Sequence, residues 1–326
     1  MGCQSSAKTL VTFVYESFTQ MFTSLLHRTN PGAKAERIYT CTTLMYRHVK
    51  TNFVAALAVL LVSASSFAAD LTFGIPPLDR GFQLLYSLDF DQAHHIFAAY
   101  EQTHPDDPMG PTADAAGSLF SEFHRLGVLE SQFFELDKRF ENRPKLNPDP
   151  AVRAQFAAAV DQAEKIAKTR LAKNARDEDA LFSLTLINGL QADYAALIDK
   201  RNMVSLHFTK EAAIWADQAL AVDPTNYDAH IAGGISRYLV GSLSAPIRWL
   251  VRLGGVPGDK QAGIKELQLV AAHGHYLAPF ADILLAIAYV REHDKQHARE
   301  LLANLRDEYP SNPLFAKEIA RLDERR

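Results

Sequence analysis

Apolar and small residues recur three and four positions apart through most of the chain, and prolines interrupt them at intervals. Between Glu211 and Val222, Ala212, Ala216 and Ala219 fall at i, i+4 and i+7, which places them on one face of a helix. Asp223-Pro224 ends that helix, because a residue before proline is disfavoured in the α region. A second helix follows at once and runs to Leu239, with Thr225 or Asn226 as its N-cap. Alanines on the contact face let the two helices approach closely. The pattern predicts a helix–turn–helix unit.

The same pattern recurs along the chain. In residues 81–108, Gly81, Leu84 and Leu85 lie on a first helix, and Ala93, Phe97 and Pro105 follow at spacings of 0, +4 and +12. Met109-Gly110-Pro111 reads as a break. Thr112 to Phe140 is predicted mostly helical, with Leu119, Phe120, Phe123, Leu126, Leu129, Phe133 and Leu136 on one broad face. Pro144, Pro148 and Pro150 make an irregular connection. A helix from Ala151 to about Lys173 carries Ala159, Ala163 and Ala167 four apart, and Asp177–Asp193 is its partner. In residues 278–313, Leu285, Ala286 and Tyr289 precede Ala298, Leu302 and Pro310 at the earlier spacing. The charged Ala316–Arg326 helix reads as the polar cap that a stack of repeats needs.

These units resemble the tetratricopeptide repeat (TPR), whose period is about 34 residues with A-x3-F and a closing proline. Pro105 to Ala175 spans 70 residues, close to two periods. Ala175 to Pro224 spans 49, the excess matching the polar stretch Gln191–Leu206. Pro224 to Pro310 spans 86, the excess matching Gly241–Gly258. The resemblance is closest to exported bacterial TPR proteins, carried by Asp223–His230, Arg248-Trp249-Leu250, Gly258–Gly263 and Tyr309–Phe315. It implies an all-α fold, a right-handed array of TPR-like antiparallel helix hairpins with a late insertion and a C-terminal capping helix. It also implies a non-enzymatic scaffold or adaptor that mediates protein–protein interaction, with no reaction and no cofactor. In such repeats the first helix lines the concave surface. Here that surface would hold Phe182, Leu186 and Leu190, then Ile231, Ile235 and Tyr238, then Phe280, Ile283, Ile287 and Arg291. Two readings stay open: a groove for an apolar peptide or helix, or a surface filled by added helices such as 112–140.

The amino-terminal part has a different character. Arg47 and Lys50 precede an apolar run, Phe53–Val62, and Ser66-Phe67-Ala68 places small residues before Ala69. That is the pattern of a secretory signal peptide over residues 45–68, and the run is short for a transmembrane span. Export to the periplasm with cleavage after Ala68 is the expectation, and a retained N-terminal anchor is the rival. Residues 1–44 are expected to be a non-native or unstructured extension ahead of a start at Met45. Met1-Gly2-Cys3-Gln4-Ser5-Ser6 satisfies a myristoylation pattern, which competes with export. The mature domain is then 69–326.

Charge and chemistry narrow the function. Residues 1–68 carry Lys8, Arg28, Lys34, Arg37, Arg47 and Lys50 against Glu16 and Glu36, leaving 28 basic and 36 acidic residues, a net of −8, for 69–326. Such a body lacks the Lys/Arg surplus that nucleic acid requires. Both cysteines, Cys3 and Cys41, precede Ala69, so the mature chain holds no disulfide or thiolate metal site. His273-Gly274-His275 is the nearest approach to a metal motif but has no further ligands beside it, and His94-His95 diverge by about 100° on a helix. Gly254–Lys260 lacks the spacing of a phosphate loop. Asp177, Glu178 and Asp179 sit at a helix N-terminus, where they complement the macrodipole. No catalytic, cofactor or metal residue is assigned.

The insertion leaves a binding candidate. In Leu243–Leu253, Ser244 can cap a short helix with Pro246 in its first turn. Arg248 and Arg252 share one face, Ile247, Leu250 and Val251 another, with Trp249 at the border. So short a helix must bury its apolar face on something. The options are its own stack, another envelope protein or peptide segment, or a membrane surface. The partner-binding set expected from sequence is Arg248, Trp249 and Arg252 with Ile231, Ile235, Tyr238, Phe280, Ile283 and Ile287.

Overall fold

Side-chain caps set the helix starts. Asp89, Asp149, Asp177, Asp259 and Asp294 each accept a backbone N–H from the first turn that follows, and Asn226 does the same for a short 3-10 turn, Tyr227–Ala229. Each cap satisfies a donor that a helix terminus would otherwise leave unpaired. The computed structural model describes residues 75–129, 145–242 and 258–324, and these form eleven α-helices with no strand among them. They are α1 (Pro77–Tyr86), α2 (Phe90–Thr103), α3 (Met109–Arg125), α4 (Pro150–Lys173), α5 (Glu178–Leu197), α6 (Asn202–Val222), α7 (His230–Gly241), α8 (Lys260–His273), α9 (Ala278–Arg291), α10 (Lys295–Glu308) and α11 (Pro313–Glu324). The signal-peptide segment, the 1–44 extension and the Leu243–Leu253 helix lie outside the described residues.

Most expected helices are present, with three corrections. Met109-Gly110-Pro111 does not break the chain but opens α3, since proline is tolerated in a first helical turn. A Cβ on Gly110 would meet Glu101 Cγ at 2.7 Å, so the glycine lets α3 lie directly on α2. The helix expected over Thr112–Phe140 stops at Arg125, where Gly127 takes a left-handed φ of 67°, and residues 130–140 lie outside the described part. The polar stretch Gln191–Leu206 is absorbed into the end of α5 and the start of α6, which makes both longer than expected.

Within pairs, the turns share one device. Leu88 between α1 and α2, Lys200 between α5 and α6, and His293 between α9 and α10 have φ of 63°, 56° and 65°. In the first, Asp89 N donates to Leu84 O at 2.9 Å and Leu88 N to Leu85 O at 3.0 Å, closing a helix end through a left-handed residue.

Consecutive helices pack against one another, and α3 also touches α1 and α5. Three helices form the interior. Most of α3, most of α5 and the unbroken run Ile283–Ala288 of α9 are buried. A helix apolar on every side belongs in a core. Phe120 of α3 meets Phe280 of α9 edge to face at 6.4 Å.

The two ends of the helical unit also meet. Leu78, Gly81 and Leu85 of α1 are buried, with Gly81 seated on the Phe97 ring of α2. A neighbouring stripe, Asp79, Phe82 and Tyr86, reaches late turns, and Phe82 also meets the Phe97 ring of α2 edge to face at 5.9 Å. Phe82 packs on Tyr276 at 4.7 Å and Tyr86 on Tyr309 at 5.5 Å. Tyr86 Oη donates to Tyr276 O at 2.8 Å, Asn312 Nδ2 donates to Tyr86 O at 2.8 Å, and Asp79 pairs with His275.

Candidate functional site

Six of the ten expected groove residues are buried, and Leu186, Ile235, Phe280 and Arg291 are partly exposed. Ile231, Tyr238, Ile283 and Ile287 are buried, and Phe182 and Leu190 with them, while Ile235 and Phe280 are half-buried against the same core. The Tyr238 hydroxyl donates to Ala288 O and Glu292 Oε1, each at 3.4 Å, and burial pushes this phenol up to about 12. Phe120 of α3 reaches Phe280 in this region, and both readings of the surface remain open. The remaining three candidates, Arg248, Trp249 and Arg252, lie outside the described residues.

The base of the insertion is described, and it is built of glycine. Helices α7 and α8 cross so closely that a Cβ on Gly263 would meet Tyr238 N at 2.5 Å and Gly234 O at 2.7 Å. A Cβ on Gly258 would meet Val240 Cγ1 at 2.6 Å and Gly241 N at 2.8 Å. Asp259 N donates to Arg237 O at 3.0 Å, and Arg237 pairs with Glu266 across the same crossing. The chain therefore leaves α7 at Ser242 and rejoins at Gly258 through one narrow neck. Sequence reading saw the glycines and the length of the insertion, but not that its two ends touch.

A second feature was not foreseen. Turns between pairs gather carboxylates and phenols beside α1. Asp228 is buried and its carboxylate accepts the backbone N–H of Tyr276 at 2.7 Å and of Leu277 at 3.2 Å. Burial raises its pKa, and those two donors oppose the rise. The Tyr276 phenol is pushed up by burial and then by Asp79, Asp107, Asp228 and Asp179, which come from four different segments. The Tyr100 phenol is pushed up by burial and by its bond to Asp107 Oδ2. The D-P-x-x-Y-D-A-H signature contained Asp228, but nothing local shows that its partner would be 48 residues away.

The described histidines of the sequence motifs sit in separate pairings. His94 Nδ1 lies 2.5 Å from Asp114 Oδ1, with Gln155 Nε2 3.5 Å from both side chains. His95 is exposed and turned away from this pair. His273 packs on Tyr227 at 4.9 Å, whereas His275 stacks on Tyr276 at 4.1 Å. Among the described residues no group of three His, Cys, Asp or Glu could hold a metal ion, and no helix is long and apolar enough to cross a membrane. Asp177 accepts from Ala180 N at 3.1 Å and pairs with Arg170, and Glu178 receives Asn226 Nδ2 at 3.2 Å. These acids hold helix ends together. No protein-family model matches the chain, and no curated protein matches its sequence.

Proposed function

We propose that the protein is a non-enzymatic, TPR-like scaffold of the cell envelope, exported by cleavage after Ala68, which binds another envelope protein through the insertion at residues 243–257. The observation that carries this reading is the glycine neck between α7 and α8. Two backbones in direct contact at Gly241 and Gly258 fix where the insertion leaves the helical body. Ile231, Tyr238, Ile283 and Ile287 meanwhile lie in the core. Binding then falls to the outside of the body and to Arg248, Trp249 and Arg252. Trp and Arg are the residues that most often anchor protein interfaces.

The test is the double substitution Trp249→Ala with Arg248→Glu, assayed by affinity capture from the native envelope. The expected result is loss of the captured partner with the helical signal and melting temperature unchanged. Retained capture, or a melting temperature lower by more than about 10 °C, overturns the assignment, since that shift means several kcal/mol in a chain of this length. A second reading rests on the same Trp–Arg pattern, which also suits a membrane interface. Co-sedimentation with anionic vesicles, lost in the same variant, would favour it.

A further inference from the structure

Helix α1 is held on two sides by different parts of the chain. On the side of its own pair, Gly81 sits on the Phe97 ring of α2 and Phe82 meets that ring edge to face at 5.9 Å, with Leu78 and Leu85 buried beside them. On the other side, Asp79, Phe82 and Tyr86 fit a cradle made by the α8–α9 and α10–α11 turns. That cradle consists of His275, Tyr276, Tyr309 and Asn312. Its attachments are directional: Tyr86 gives a hydroxyl hydrogen to Tyr276 O and takes an amide hydrogen from Asn312, each at 2.8 Å. Asp228 holds the Tyr276 backbone in place from below. The cradle is thus a built receptor for one helix of defined pattern.

The hinge that brings α1 there is strained. Only Ser87, Leu88 and Asp89 separate α1 from α2, and Leu88 sits at φ 63°, a region that non-glycine residues avoid. Neither proline nor glycine stands between Phe82 and Thr103, so nothing in this stretch forbids one continuous helix from α1 into α2. Straightening the turn would remove the left-handed leucine and carry α1 away from its own cradle. A short hinge under strain, joined to an element with a specific receptor, is the condition under which copies exchange that element.

We propose that α1 is an exchangeable clasp: the cradle accepts α1 from a second copy of this chain, with the α1–α2 turn straightened, to give a reciprocal dimer. Both copies then make the same clasp contacts as the monomer, and each loses the strained turn. Exchange requires the clasp to open first, so the dimer forms slowly and accumulates when concentrated protein passes through partial unfolding.

The experiment is light scattering on the purified protein after concentrated refolding. Wild type is expected to show a dimer fraction. Leu88→Gly, which suits the left-handed turn, should lower that fraction several-fold. Asp89→Ala, which removes the α2 cap, should raise it. A mixing experiment identifies the exchanged element. Phe82→Ala damages the clasp and Tyr276→Ala damages the cradle, so neither variant closes well alone. A mixture can form a pairing in which an intact clasp meets an intact cradle, and a one-to-one heterodimer should exceed either homodimer. If wild type and Asp89→Ala both stay monomeric with native helix content, the proposal fails. It also fails if mixing gives only a statistical distribution, or if Leu88→Gly dimerises as readily as wild type.

Discussion

A half-buried carboxylate shows how a single residue can set the response of this fold to pH. Asp282 on α9 has its pKa raised to about 6, first by burial and then by Glu308 at the end of α10. Its folded value therefore lies above its unfolded one. The folded state holds the proton more tightly, so this group's contribution to stability is present at low pH and is lost as pH rises through about 6. Asp282→Asn should melt higher than wild type at about pH 7, with the advantage closing towards about pH 4. The size is on the order of 1 kcal/mol, because water still screens a side chain that is only half-buried. Thermal melts of both proteins across that range check it, and a pH-independent difference would contradict it. Other residue-scale features were harder to read. Left-handed Leu88, Lys200 and His293 carry no signal, since glycine or asparagine is what marks such positions.

Helix α7 meets α8 over Gly234 and Gly263, and the element scale turns on that approach. Gly263→Ala would drive a Cβ into Tyr238 N and Gly234 O, both backbone atoms that cannot rotate away. A loss of about 1–3 kcal/mol is expected in urea unfolding, as for other overpacked sites. Gly189 in α5 is the control, because a Cβ there would meet nothing within 4 Å. Gly189→Ala should stabilise by about 0.5–1 kcal/mol through helix propensity alone. Equal effects at the two sites would mean that the crossing is looser than described. At this scale the sequence was largely readable. Ala212, Ala216 and Ala219 are buried on one face of α6 as their spacing requires, and the pair at the carboxyl end follows its alanine and proline pattern. The fate of the first helices of each pair was not readable. Ile283 to Ile287 is apolar whether it lines a groove or fills a core, and only the run of burial from Ile283 to Ala288 separates the two.

Ends that meet change how the whole molecule opens. In an open stack each unit depends only on its neighbours, so damage to the last unit stays there. Here Asn312 donates to Tyr86 O and also accepts from Leu314 N at 3.1 Å, tying α1 to the start of α11. Asn312→Ala should therefore speed hydrogen exchange in α1 and α2 as well as in α11, by roughly tenfold, the equivalent of about 1–1.5 kcal/mol for a lost hydrogen bond. Exchange confined to α11 would show that the ends are independent. The Tyr86–Asn312 bond has one more consequence, for how the chain is made. Its partners are 226 residues apart, and a ribosome adds about 5–20 residues per second. For a period on the order of ten to forty seconds, the nascent chain carries Tyr86 before Asn312 is synthesised. Contacts of such long range also form slowly once both ends exist. Of the described helices, α1 is the first to emerge and among the last to be finished, and a holding chaperone has that interval in which to act.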